Sequence, residues 1–196
     1  PEPVAAAAAL RWSPAAVLRD EPRAAGGAPL PFDLDGVPKR AVDFARGGAP
    51  PTAAFDLELA ARAGSVSTGH GLACDEAWPI HLALGVGGDS EEALRADAAG
   101  GIRIGGLEEL RVELGAPYRF RAVARSLRRI EADGRLGDAL APLVFTGDLE
   151  GCFAAIAATA DHAIAWAPLP IDGLGACRAP AARLSGHGRF APRTGV

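Results

Sequence analysis

The sequence contains few cysteines and no long apolar run. Cys74, Cys152 and Cys177 are its three cysteines, and they lie far apart without paired spacing. This usage fits a reducing compartment, and we therefore predict a cytoplasmic protein. No apolar stretch is long enough to span a bilayer, and no signal peptide is visible. We expect no membrane association.

Lysine is almost absent, since Lys39 is the only one in the chain. The formal net charge is -4, with 22% charged and 49% hydrophobic residues. This is an ordinary soluble profile, and it argues against a surface built for nucleic acid.

Methionine is absent altogether, including at position 1. We therefore expect the sequence to be a fragment, a processed chain or an excised domain. Its 196 residues are enough for one substantial hydrophobic core.

The sequence also lacks the dipeptide His-Glu. A zinc peptidase holds its metal with imidazoles or thiolates and needs a carboxylate that takes a proton from the bound water. Two histidines about one helical turn apart with an adjacent glutamate supply these groups. The four histidines, His70, His81, His162 and His187, are never within five residues of one another. The principal zinc motif is therefore absent, and we expect this chain alone to bind no cofactor.

What the sequence does contain is an ordered set of signals between residues 31 and 71. Asp33 to Pro38 reads as a turn, and an alternating strand with Val42 and Phe44 follows. Thr52 to Phe55 is expected to run back along this strand. Asp56 is placed as the N-cap of a helix over 57–63, which Gly64 ends. A polar loop, Ser65 to Gly71, completes the set.

These residues resemble the C-terminal domain of the TldD/PmbA family. In that family a D-x-x-G-x-P turn, a strand, a helix reading AARxG and a loop reading STGN or STGH occur in this order. Here they are Asp33 to Pro38, Ala60 to Gly64, and Ser67 to His70. The spelling with His70 is closer to the PmbA (TldE) branch. A further match is Gly88 to Leu94.

The remainder of the chain predicts many short strands and few helices. Strands are predicted at 80–86, 107–114, 118–130 and 136–145, a capping box with Asp89 as N-cap starts one helix, and a second helix is predicted over 149–159. We therefore predict an α+β domain, a largely antiparallel sheet with two or three short helices. The resemblance implies the same fold. We assign 1–30 to an N-terminal arm or linker, with a short helix starting at Ser13, and 31–196 to the TldD/PmbA-like domain.

Three features are candidates for chemistry. Ser67, Thr68, Gly69 and His70 either contact a peptide or satisfy loop backbone groups. The arginines between 119 and 129 either form a groove for an acidic peptide or are the solvated face of a strand. In the TldD branch HExxxH and a later cysteine hold zinc. The resemblance therefore makes Cys177 a candidate metal ligand, whose partners would lie outside this chain, although Arg178 stands where the family has glycine. The alternative is an ordinary loop cysteine.

The resemblance leaves three functional hypotheses. In the first, the chain belongs to a PmbA/TldE-like subunit without its own zinc motif, and it partners a TldD-like metallopeptidase that cleaves leader or unfolded peptides. In the second, it is a fragment of an active TldD-type zinc metallopeptidase, with Cys177 as a ligand. In the third, it is a stand-alone peptide-binding or scaffold domain. Because HExxxH is absent and the loop reads STGH, the first is preferred, with zinc in the partner or the full-length protein and no catalytic residue in this chain.

Overall fold

The computed structural model describes residues 12–22, 30–47, 49, 52–72, 76–113, 115, 117–166 and 176–193. The chain divides into two compact units. The first unit contains Ala16–Val86 and His162–Pro180, and the second contains Arg11–Ala15, Gly87–Asp161 and Ala181–Val196. None of the helices in the described ranges has the length and apolar character needed to span a bilayer.

Short strands dominate both units, which gives the α+β, mostly antiparallel fold predicted from the sequence. The strands are β1 (Val17–Asp20), β2 (Val42–Arg46), β3 (Gly71–Leu72), β4 (Glu76–Ala77), β5 (His81–Leu84), β6 (Ile102–Arg103), β7 (Gly106–Val112), β8 (Arg119–Arg125), β9 (Leu127–Ile130), β10 (Leu136–Leu140), β11 (Leu143–Asp148), β12 (Ile156–Trp166), β13 (Ala176–Leu184) and β14 (Arg189–Pro192). The helices are α1 (Leu57–Arg62), α2 (Glu91–Asp97) and α3 (Leu149–Ala154).

The first unit is built around a five-stranded sheet with the order β12-β13-β5-β1-β2. β1 lies between β2 and β5 and is antiparallel to both, with Leu18 opposite Ala45 and Leu84. β13 runs parallel to β5. The helix expected from Ser13 is wrong: residues 14 and 15 form a turn, and Val17–Asp20 form a strand with partners on both sides. The division at residue 30 stays a prediction.

The second unit contains a four-stranded sheet, β14-β11-β8-β7, and a three-stranded sheet, β10-β9-β6. Its core cluster consists of Phe120, Ala124, Leu127 and Phe145, all buried. The rings of Phe120 and Phe145 lie 5.4 Å apart between centroids, a spacing typical of packed aromatic pairs.

Four further local predictions need correction. Thr52 to Phe55 is not a strand; the amide and the carbonyl of Phe55 are both bonded to Thr68 of the loop rather than to β2. The predicted strand over 118–130 is two strands, β8 and β9, because Ser126 has φ 51° and ends the first.

The helix predicted over 149–159 stops at Ala154, and Ile156 begins β12. The hydroxyl of Ser13 donates to the carbonyl of Ile156 at 2.5 Å. The amide of Gly87 donates to the carbonyl of Ala160 at 2.9 Å. These distant partners outweigh the helical propensity of the alanines. The N-cap of α2 is also displaced by one residue, from Asp89 to Ser90, whose hydroxyl accepts from the amide of Ala93 at 3.1 Å.

Candidate functional site

The loop from Ser65 to Gly71 is tied to the start of α1. Asp56 caps this helix by accepting from the amide of Leu59 at 2.6 Å, as predicted. The Thr68 hydroxyl accepts from the amide of Phe55 at 2.8 Å, and the Thr68 amide donates to the carbonyl of Phe55 at 3.0 Å. The Ser67 hydroxyl donates to the same carbonyl at 3.1 Å. The polar side chains of the loop are therefore bonded to the chain's own backbone.

His70 lies at the centre of this loop and is only 1% exposed. Its Nε2 is 2.8 Å from Oδ2 of Asp20, and both side chains are fully enclosed. Its Nδ1 lies 2.9 Å from the Thr68 hydroxyl and 3.1 Å from the Thr68 carbonyl. Both ring nitrogens are therefore engaged within the protein, and the imidazole is held in one orientation.

Asp20 is the partner that the sequence did not reveal. Its second oxygen, Oδ1, accepts from the amide of His81 at 2.6 Å, so that β1, β5 and the loop meet at one carboxylate. Burial acts to raise the pKa of Asp20, but the hydrogen bonds from His70 and from the His81 amide outweigh it, and the pKa is lowered. Asp20 is therefore held as a carboxylate.

The turn at Asp33 joins this arrangement from the other side. Oδ1 of Asp33 accepts from the amides of Asp35 and Val37, at 3.0 and 2.8 Å, which closes the turn. Oδ2 accepts from the amide of Gly71 at 2.8 Å, and the Leu34 amide donates to the Gly71 carbonyl at 3.1 Å. The Asp33 turn and the loop from Ser65 to Gly71 are therefore hydrogen-bonded to each other directly, through Gly71.

Gly69 shows how closely the turn and the loop approach. It has φ +73°, and a Cβ at this position would lie 2.5 Å from the carbonyl oxygen of Pro38 and 2.7 Å from Cα of Lys39. A side chain at Gly69 is thus excluded both by its backbone conformation and by the opposing backbone.

Lys39 is a positively charged residue close to Asp20 and Asp33. Burial lowers its pKa, while the nearby carboxylates of Asp20 and Asp33 act in the opposite direction. We refer to Asp20, Asp33, Lys39, Thr68 and His70 as the polar cluster. The sequence singled out only its two loop members as site residues. The Asp33 turn was recognised as a turn, but Asp20 and Lys39 carry no local signal.

The polar cluster holds the Asp33 turn and the Ser65–Gly71 loop in place. Its geometry does not support acid–base catalysis. A general base must reach a proton of the substrate, whereas His70 is buried with both ring nitrogens engaged. Ser67, with its hydroxyl on Phe55, is not positioned by His70 as a nucleophile would be. Whether a peptide contacts residues 67–70 stays a prediction.

The cysteines offer no metal centre in the part of the chain that is described. Burial and the charge of Asp148 raise the pKa of the Cys152 thiol to about 11, so it stays protonated at neutral pH. Cys177 lies in β13 with its backbone opposite Leu82, and its side chain is outside the described part. The whole of Cys74 is outside the described part. Among the described residues no group of three His, Cys, Asp or Glu side chains could hold a metal ion. The described residues therefore do not fit a zinc ion.

The arginines predicted as one group have separate environments. Arg125 is paired with Glu108, and Arg128 donates to the carbonyl of Gly137 at 2.9 Å. Arg119 and Arg121 are exposed on β8.

Comparison with known proteins gives a consistent result. The sequence matches the family described as PmbA/TldA metallopeptidase C-terminal domain over residues 12–188. No curated protein matches it.

Solved structures share the fold. A Thermotoga maritima protein described as a modulator of a DNA gyrase has a TM-score of 0.78 and 21% identity, and the match covers 97% of this chain and 44% of that one. TldE from Thermococcus kodakarensis has a TM-score of 0.75 and 19% identity, over 92% of this chain and 40% of that one. A Bacteroides thetaiotaomicron protein described like the first has a TM-score of 0.67 and 22% identity, over 92% and 37%. The chain thus spans less than half the length of these proteins.

Proposed function

We propose, from the premise that this chain belongs to the PmbA/TldA metallopeptidase C-terminal domain family, that it forms part of a PmbA/TldE-like subunit. In this proposal the subunit lacks its own zinc motif and partners a TldD-like zinc metallopeptidase. The pair would cleave leader peptides or unfolded peptides in the cytoplasm.

The observation that carries the proposal is the use of His70. The chain has no His-Glu dipeptide, and the histidine of its family loop is enclosed between Asp20 and Thr68. The hydrogen-bonding capacity that a zinc ligand or general base would need is therefore used to hold the first unit together. This supports a chain that contributes architecture while the water-activating metal and base are supplied elsewhere.

A peptide that contacts residues 67–70 would find few exposed side chains there. Ser67, Gly69 and His70 are buried, and Thr68 is half-buried. A peptide at this loop would therefore meet Thr68 and the exposed Val66, while His70 would keep the loop in shape.

The test is reconstitution with a TldD-like partner. The chain, in its full-length protein, is purified alone and together with the partner, and cleavage of an unfolded peptide is followed with zinc content. We expect cleavage and stoichiometric zinc only in the sample with the partner, and co-elution of the two proteins. Asp138→Ala, a substitution at an exposed position in β10, serves as a control variant and should leave co-elution unchanged.

Two results would contradict the proposal. Stoichiometric zinc and cleavage without the partner, both lost in Cys177→Ala, would support the alternative of an active TldD-type metallopeptidase with Cys177 as a ligand. Peptide binding without any co-elution would favour the stand-alone binding domain.

A further inference from the structure

The four-stranded sheet of the second unit carries two different faces. Phe145 lies opposite Ala122 on β8 and opposite Phe190 on β14, which places these three side chains on the core face. The neighbouring residue Thr146 lies opposite Arg121 and opposite Arg189, and its side chain therefore points to the other face.

Three arginines occupy one line across this second face, beside the part of it on which Val123 and Val144 are buried. Arg121 of β8 is directly opposite Arg111 of β7, and Thr146 of β11 separates Arg121 from Arg189 of β14. All three arginines are exposed. We call Arg111, Arg121, Thr146 and Arg189 the arginine row. With strands spaced about 4.8 Å apart, the row is about 14 Å long.

Unlike two neighbouring arginines, the arginines of the row form no ion pair with any described residue. Arg125 is paired with Glu108, and Arg193 is paired with Glu109 at 3.0 Å. Among the described residues, by contrast, no hydrogen bond or ion pair involves the side chains of Arg111, Arg121 or Arg189. Like charges directly opposite each other in a sheet are destabilising, so the Arg111–Arg121 pair opposes folding until an anion is present.

We propose that the arginine row binds an acidic segment of an extended peptide that carries Asp or Glu at alternate positions. A guanidinium group recognises a carboxylate with two parallel hydrogen bonds, and the Thr146 hydroxyl adds a donor in the middle. In an extended peptide, side chains on one face recur about every 6.8 Å, so three alternate acidic residues span about 14 Å. This equals the length of the row.

The surroundings favour a short acidic peptide over nucleic acid. Glu108 and Glu109 are on the same edge strand as Arg111, and Asp148 lies opposite Arg119. A continuous phosphate backbone crossing the sheet would meet these carboxylates, and the chain has a net charge of -4. The inference deepens the proposed function and rests on it for the source of the peptide.

Binding is tested without a peptidase, so its failure and a failure of the partner pairing are separate results. Fluorescence anisotropy of the chain, in its full-length protein, is measured with a labelled glycine peptide carrying three alternating glutamates, and with the same peptide carrying glutamines. We expect the glutamate peptide to bind and the glutamine peptide not to bind. Added salt should weaken the binding, since screening reduces exposed charge interactions.

Substitutions assign the binding to the row. Arg121→Gln should weaken binding by about fivefold or more, whereas Arg121→Lys should restore part of it. Arg135→Gln, an exposed arginine paired with Asp133 in the same unit, is the matched control and should bind unchanged. Arg111→Gln should weaken binding while leaving the thermal midpoint equal or higher, because it removes a like-charge pair; a purely structural role would lower the midpoint. If Arg121→Gln does not fold, Arg189→Gln on the edge strand makes the same test.

Three outcomes would overturn the inference. They are equal binding of the glutamine peptide, equal binding by the row variants and Arg135→Gln, and displacement of the peptide by a short single-stranded DNA that binds more tightly through Arg121. The last outcome would assign the row to nucleic acid.

Discussion

The two units of this protein bury different kinds of side chain. Among the described residues, eleven of the sixteen buried hydrophobic residues belong to the second unit, whereas six of the eight buried polar or charged residues belong to the first. The six are Asp20, Asp33, Asp56, Ser67, His70 and His81. The described part of the second unit is thus stabilised mainly by apolar packing, whereas that of the first depends more on buried hydrogen bonds.

The two units are therefore expected to lose stability for different reasons. The free energy of apolar burial is non-directional and roughly proportional to the area buried. A substitution in such a core is therefore expected to cost more stability when it removes more side-chain volume. A buried hydrogen-bonded group is directional, and removing one partner leaves the other group unsatisfied at a large cost. Substitutions in each unit can test whether the two units unfold for these separate reasons.

The largest loss is expected in the apolar core of the second unit. Phe145 is 4% exposed and packs against Phe120 and Phe190. Phe145→Ala should lower the free energy of unfolding by about 3–5 kcal/mol, measured by urea denaturation. Phe190→Ala, on the edge strand of the same sheet and 39% exposed, is the control and should cost about 1–2 kcal/mol. Equal losses would mean that the packing around Phe145 is not the core of this unit.

The next effect breaks the polar cluster of the first unit. Asp20→Ala leaves Nε2 of His70 and the amide of His81 without their acceptor, and it should cost about 3 kcal/mol in the same measurement. Asp20→Asn, which keeps one acceptor oxygen, should cost less. The exposed control Asp138→Ala should change little. If Asp20→Ala were as mild as the control, solvent would be reaching His70 and the first unit would not depend on its buried pair.

A smaller effect tests the close approach of the turn and the loop. Gly69 and Gly64 both have positive φ, but a Cβ at Gly69 meets the backbone of Pro38 while a Cβ at Gly64 has nothing within 4 Å. Gly64→Ala should cost about 1 kcal/mol from its backbone conformation alone. Gly69→Ala should cost about 2 kcal/mol or more, because the opposing backbone must also move. Equal costs for the two variants would show that the turn can shift without penalty.

The predictability of each unit follows the range of its interactions. The helix capped by Asp56 and ended by Gly64 was predicted from sequence because its signals lie within nine residues. The Asp33 turn was predicted for the same reason. Asp20 could not be predicted, because β1 is a four-residue strand without an alternating pattern and its partner His70 is fifty residues away. The resemblance to the family identified the loop but not the buried Asp20 with which its His70 is paired.

The errors in the second unit have the same origin. The alanine-rich stretch after Asp148 has the local propensity of a helix, and Asp148 does cap α3 by accepting from Gly151 at 2.6 Å. Distant partners then convert Ile156 onward into a strand. The arginine row could not be predicted from the sequence either. Only the pairing of four strands brings Arg111, Arg121 and Arg189 into one line.

The smallest expected effect is the dependence of stability on acid. The folded-state pKa of Asp20 is lowered from 3.8, so this carboxylate contributes stability above about pH 4, and the contribution is lost as the pH falls through its folded-state pKa. Each unit of lowering corresponds to about 1.4 kcal/mol. The free energy of unfolding should therefore fall more steeply between about pH 5 and pH 2 in the native protein than in Asp20→Asn. Asp133, whose pKa is also lowered, by its hydrogen bonds with Arg135, is present in both proteins and cancels in the comparison. Parallel acid limbs would place the acid sensitivity outside the polar cluster, and the first unit would then owe its stability to packing, as the second does.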